Sequence, residues 1–145
     1  MTFHFLTEKY AVSPQITPDD VSKIKEAGFT TIICNRPDSE VPEVNQASQI
    51  RTWTESIGLK FEELPITHQT MTPDVVEQQR EIVGASQGPV LAYCASGTRC
   101  SIIWALGAAL HQMPIDDILA ITRNAGYSLD NLRPTFEAAS KVTRK

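Results

Sequence analysis

Cys94 and Arg99 bracket the stretch of this sequence best suited to chemistry, Cys94-Ala95-Ser96-Gly97-Thr98-Arg99. The thiolate, not the thiol, is the nucleophile, and it is favoured where backbone N–H groups, a helix N-terminus and a cation converge. The preceding residues, Val90-Leu91-Ala92-Tyr93, form a continuous apolar run of the buried parallel-strand kind. The following run, Ser101 to Leu110, reads as a helix that is apolar nearly all round and therefore buried. A chain passing from such a strand through a short loop into a helix N-terminus can aim several N–H groups at one point. Ala95, Ser96 and Gly97 are small enough to let backbone approach a ligand, and Gly97 can take a positive φ. Arg99 adds a planar, permanently charged fork suited to an oxyanion. Donors that hold a thiolate would also hold an incoming anion and the charge of a transition state. Cys94 and Arg99 are therefore the candidate catalytic pair, with Ala95, Ser96, Gly97, Thr98, Cys100 and Ser101 the candidate substrate-binding residues. The competing reading makes Cys94 a small buried hydrophobe and Arg99 a surface charge. The ordered succession of strand, cysteine, small-residue loop, arginine and helix favours chemistry.

A loop of this kind has to be held at the carboxyl end of a strand in an open α/β sheet. The rest of the chain alternates accordingly between short β-rich runs and longer helical patterns. Tyr10-Ala11-Val12 is a short strand candidate, and Thr17-Pro18-Asp19-Asp20 opens a helix that stops at Gly28. Thr30 to Cys34 is a β-branched strand broken by Asn35-Arg36-Pro37-Asp38. A helix from about Val44 to Ile57, a strand from Lys60 to Leu64 and a helix from Thr72 to about Ala85 follow. Beyond the buried helix, two more are expected, from Pro114 to about Asn124 and near Leu132 to Val142. This alternation implies a mostly parallel sheet with helices on both faces.

The 145 residues, 41% hydrophobic and 21% charged, suit one domain spanning 1–145. A chain of that length buries roughly two-thirds of its unfolded surface. The net charge of -4 argues against a nucleic acid or an anionic membrane as partner, so an anion site must be local. No apolar run approaches the roughly 20 residues that span a bilayer, and the N-terminus lacks the pattern of a signal peptide. Three cysteines without metal-ligand spacing suggest free thiols in the cytoplasm.

The strand-Cys-loop-Arg-helix unit resembles the phosphate loop of cysteine-dependent protein phosphatases. The chain as a whole is similar to the beta-lactamase hydrolase-like protein, phosphatase-like domain family. That similarity runs from Ser13-Pro14-Gln15 through Pro65-Ile66 and the Cys94 segment to Ala125-Gly126-Tyr127. It implies a dual-specificity-phosphatase-like fold, with Cys94 as nucleophile, Arg99 as anion clamp and no metal or organic cofactor. The sequence departs from the phosphatase pattern twice. Four residues separate Cys94 from Arg99 where the phosphatases have five, and a Cys-x-x-Gly-x-Arg loop also resembles that of rhodanese sulfurtransferases. Furthermore, the Thr67-His68-Gln69-Thr70-Met71-Thr72 segment holds no aspartate to protonate a leaving oxygen, and the next acid is Asp74.

His68 is one accessory candidate, since imidazole can donate a proton near neutral pH; an exposed loop histidine is the plainer alternative. Asp74 equally suits the positive end of its helix. Asn35 and Arg36, by resemblance to the Asn-Leu-Arg segment of dual-specificity phosphatases, would brace the loop or contact substrate, or else simply form a turn. Cys100 would resolve an oxidised or persulfidated Cys94, or else pack in the helix. Ser101 would bond the thiolate or cap the helix. Cys34, Trp53 and Trp104 read as core. The expected partner is a small anion, either a phosphoester attacked by Cys94 or a sulfane-sulfur donor that leaves a Cys94 persulfide. A non-catalytic anion-binding module is the third reading.

Overall fold

A computed structural model describes residues 2–142. Five strands form one sheet: β1 (His4–Thr7), β2 (Tyr10–Ser13), β3 (Thr31–Cys34), β4 (Lys60–Glu63) and β5 (Val90–Tyr93), in the order β1-β2-β5-β3-β4. The β2, β5, β3 and β4 strands run parallel, and β1 is an antiparallel edge. Among the described residues six α-helices pack around the sheet: α1 (Val21–Glu26), α2 (Ala47–Ser56), α3 (Pro73–Ala85), α4 (Thr98–Leu110), α5 (Ile115–Asn124) and, against α4 and α5, α6 (Arg133–Ser140). The expected parallel sheet with helices on both faces is what the chain forms.

Strand side chains point alternately to the two faces, so each central strand feeds two cores. Ala11, Ile32, Leu91 and Tyr93 face α1 and α2 with Ile24, Ala47 and Ile50. Tyr10, Val12, Ile33, Val90, Ala92 and Cys94 face the other layer, where Ile82, Val83, Trp104 and Ile121 pack. The α4 helix is buried on most of its circumference because it lies against the sheet while α3, α5 and α6 wrap it. Register sets the site: Ser13 pairs with Tyr93 and Tyr93 with Cys34, which pairs with Glu63. The segments after all four parallel strands therefore leave the sheet along one edge.

Four local features differ from the sequence reading. The β1 strand was not expected; Thr7 Oγ1 makes its turn by accepting from the backbone N–H groups of Lys9 and Tyr10. The first helical segment divides into a 3-10 turn at Pro18–Asp20 and a shorter α1. The helix expected from Val44 begins at Ala47, after 3-10 turns at Asp38–Glu40 and Glu43–Asn45. Asp38 Oδ1 accepts the Ala47 N–H at 2.9 Å, a partner the α2 N-terminus needs. Trp53, expected in the core, is 53% exposed because its position on α2 faces solvent. Among the described residues no helix is long and apolar enough to cross a membrane.

Candidate active site

Cys94 immediately follows the last residue of β5, and it is only 1% exposed, at the base of the loop that leads into α4. Gly97 takes φ +95°, which turns the chain sharply enough for its N–H to reach back to Cys94 Sγ at 3.1 Å. A Cβ at Gly97 would also overlap the hydroxyl of Tyr127. Three loop carbonyls are engaged elsewhere. Ala95 O accepts from Gln15 N–H at 3.4 Å, and Ser96 O accepts from Tyr127 Oη at 2.9 Å. Gly97 O takes both the N–H and the hydroxyl of Ser101, at 3.0 and 2.9 Å. Carbonyl and N–H of a trans peptide point in opposite directions, so the Ala95 and Ser96 carbonyls held outward leave the Ser96 and Gly97 amides turned toward the sulfur.

The electrostatics follow. The Cys100 thiol hydrogen-bonds the Cys94 sulfur, and the amides of Cys100, Ser96 and Gly97 add to it. Burial opposes ionisation, yet the donors prevail and bring Cys94 down to about 5. Cys100, fully buried, is pushed well up, first by its burial and then by its Cys94 partner. The proton of the pair thus resides on Cys100 and the charge on Cys94. Phosphatase spacing would place the arginine at position 100, and there the helix instead presents this thiol to the nucleophile.

Arg99 has an unexpected partner. Its guanidinium grips Glu40 with two bonds, Nη1–Oε2 at 2.9 Å and Nη2–Oε1 at 2.7 Å, and Nη1 also donates to Ile66 O at 3.0 Å. Arg36 Nε donates to the same Glu40 at 3.1 Å while its Nη1 reaches Gln15 Oε1 at 3.3 Å. Glu40 is accordingly held below the usual carboxylate range, chiefly by Arg99. Two arginines and one carboxylate thus stand beside the Cys94 loop, with the Arg99 fork already filled.

Asn35 is buried and braces: its N–H bonds Tyr93 O at 2.9 Å, and its side chain exchanges bonds with Gln79 at 2.9 and 3.0 Å. Gln79 continues to Tyr10 Oη, which donates to Cys100 O at 2.8 Å. Thr98 starts α4, and its N–H and hydroxyl both bond Ser96 Oγ. Ser101 bonds Gly97 O rather than the thiol. His68 is exposed in a turn built by Thr67 and Thr70, and Asp74 is exposed in the first turn of α3. Among the described residues no hydrogen bond or ion pair joins either of them to the Cys94 loop. Cys34 is core, and Trp104 is partly buried between two core clusters.

Glu40 and Gln79 escaped the sequence reading, and Tyr127 entered it only through resemblance. Glu40 lies 59 residues from Arg99, and no local pattern signals that pairing. For Tyr127 there was a signal: Gly126 closes α5, with φ +104°, in the geometry that glycine favours after a helix.

Comparison with known proteins agrees with this architecture. A curated beta-lactamase hydrolase-like protein of Xylella fastidiosa is 26% identical over 125 residues, 86% of this chain. The chain spans 29% of the length of that relative. A crystal structure of a "putative phosphatase" from Neisseria meningitidis Z2491 is 38% identical, with a TM-score of 0.86 over 96% of this chain and 99% of that one. Pseudomonas aeruginosa TpbA, crystallised in complex with phosphotyrosine, shares the fold at 15% identity, with a TM-score of 0.63 over 97% and 91% of the two chains. Residues 2–111 match the beta-lactamase hydrolase-like protein, phosphatase-like domain family, and the chain belongs to it.

Proposed function

We propose that this protein is a cysteine-dependent phosphatase acting on a small phosphoester. The observation that carries the reading is the Gly97 N–H donated at 3.1 Å to the buried Cys94 sulfur at the start of α4, an arrangement that, with the Cys100 thiol, favours the thiolate. The thiolate attacks phosphorus, the bond from phosphorus to the ester oxygen breaks, and a phosphocysteine forms. Water then attacks phosphorus, the P–S bond breaks, and phosphate leaves as the thiolate is restored. Loop amides stabilise the equatorial oxygens. Arg99 clamps the phosphoryl group when an anion oxygen takes the place of one Glu40 oxygen. Neither His68 nor Asp74 is positioned to protonate the leaving group, so the reading favours esters with acidic leaving groups, such as aryl phosphates. The phosphotyrosine complex of TpbA is consistent with a ligand of that class.

A second reading rests on one observation, the four-residue spacing between Cys94 and Arg99. That shorter loop suits a rhodanese-like sulfurtransferase in which Cys94 accepts sulfane sulfur as a persulfide and passes it to a thiophile. One experiment separates the two. Wild type and Cys94→Ser are assayed with p-nitrophenyl phosphate and, in parallel, with thiosulfate plus cyanide. Phosphate release that falls by about three orders of magnitude or more in Cys94→Ser is the expected result. Cys94-dependent thiocyanate without phosphate release would replace the phosphatase with the sulfurtransferase. Silence in both, with phosphate still bound, would leave an anion-binding module.

A further inference from the structure

Tyr127 lies outside the Cys94–Arg99 segment, beyond the end of α5, yet its hydroxyl touches the loop. We propose that Tyr127 is a positioning residue of the site: by holding Ser96 O outward it orients the Gly97 N–H onto the Cys94 sulfur. The two contacts belong to one peptide unit, since Ser96 O and Gly97 N flank the same amide bond. Tyr127 Oη donates to that oxygen at 2.9 Å, and the N–H on the opposite side donates to Sγ at 3.1 Å. The unit is planar, so fixing one end fixes the other. A donor on the carbonyl also polarises the peptide and strengthens its N–H as a donor.

The fold goes to some length to place this hydroxyl. The α5 helix closes with Gly126 N–H bonded to Arg123 O at 3.0 Å and Tyr127 N–H bonded to Thr122 O at 2.9 Å. Those two bonds, with Gly126 in the left-handed region, form the glycine-terminated helix end that fixes the exit direction of the next residue. The β1 edge strand then supplies His4, whose ring meets the Tyr127 ring edge-on at 5.6 Å. The ring also packs against two core clusters, and the hydroxyl meets the loop carbonyl. Tyr127 is pushed up to about 12, first by burial, so it remains a donor at any pH at which the site works. Gly97 completes the fit, because any side chain there would collide with the hydroxyl.

The inference adds to the phosphatase reading, but its test reads the thiol itself and needs no turnover. In Tyr127→Phe the ring keeps its packing and only the hydroxyl is lost. Thiolate absorbance near 240 nm is titrated in wild type and Tyr127→Phe, with Cys94→Ser as the blank. The groups that face Cys94, namely Cys100, Arg99 and Tyr10, are common to both proteins. The Cys94 midpoint, about 5 in the wild type, should rise by roughly half to one unit in Tyr127→Phe as one donor loses its orientation. The thermal midpoint should change by no more than about 3 °C, the scale of one lost hydrogen bond. A Cys94 midpoint that stays in place would overturn the proposal, whatever happens to stability, and would leave Tyr127 a packing residue. Absence of phosphatase activity in the wild type would remove the phosphatase reading while leaving this test intact.

Discussion

Glu40 is the side chain whose charge matters most after Cys94, because it fills the fork that an incoming anion needs. Its side chain is 34% exposed and that of Arg99 11%, so the pair sits at a partly screened edge. Exposed pairs of this kind contribute little to stability. Its consequence for binding is larger, since the carboxylate competes with any oxyanion for the same two N–H groups. Replacing Glu40 with Gln removes the competing charge and leaves Arg36 and Arg99 without a shared counter-ion. Inorganic phosphate should then inhibit several-fold more tightly, read as a lower inhibition constant at fixed ionic strength. Weaker inhibition would show instead that Glu40 is needed to aim Arg99. Cys94, Gly97 and Arg99 lie within six consecutive residues and announce themselves by type and order. The Arg99–Glu40 pair joins a helix start to a turn 59 residues away, and only the tertiary fold brings them together.

At the scale of the element, the working unit is β5, the loop and α4, and its hinge is Gly97. Alanine there would have to hold φ +95°, which costs about 1–2 kcal/mol for a residue with a Cβ. It would also meet the Tyr127 hydroxyl. Gly97→Ala should therefore lower the thermal midpoint by several degrees and raise the Cys94 titration midpoint. Adding Tyr127→Phe removes the clash with the hydroxyl but keeps the nearby ring carbon Cζ and the backbone strain, so the double variant should recover part of the lost stability. Differential scanning calorimetry of both variants checks this; full recovery would assign the whole effect to the collision. The β5 strand was readable because it is apolar over its length, and α4 because the stretch from Ile102 to Leu110 is apolar with no charged residue in it. β1 was not, because a four-residue edge strand with one buried residue, Leu6, carries too little periodicity. Trp53 misled for a related reason: an aromatic at helical spacing looks like core until the face it occupies is known.

The whole molecule adds what no element carries alone, which is the order β1-β2-β5-β3-β4. Alternating strands and helices implied a parallel sheet, but strand order depends on long-range pairings with no local signature. That order puts the Cys94 loop between the segments after β2 and β3, so Gln15 holds the loop at Ala95 O from one side and Asn35 holds the strand end at Tyr93 O from the other. Holding a buried thiolate there has a global consequence for stability. In the unfolded chain Cys94 would titrate near the usual thiol value of about 8.5, whereas in the native protein it titrates at about 5. Between those limits the unfolded state binds a proton that the native state does not, so native stability rises with pH. The contribution is complete above the unfolded value and lost as pH falls through the native one. Cys100 does not offset it within the window, because a thiol pushed upward stays protonated in both states below about 8.5. Glu40, held low, contributes only at more acid pH. The thermal midpoint of wild type minus that of Cys94→Ala should therefore be smallest near pH 5 and widen steadily toward pH 8.5. A difference that stays level across that range would mean that Cys94 is a neutral core thiol, and would remove the charge on which the proposed chemistry depends.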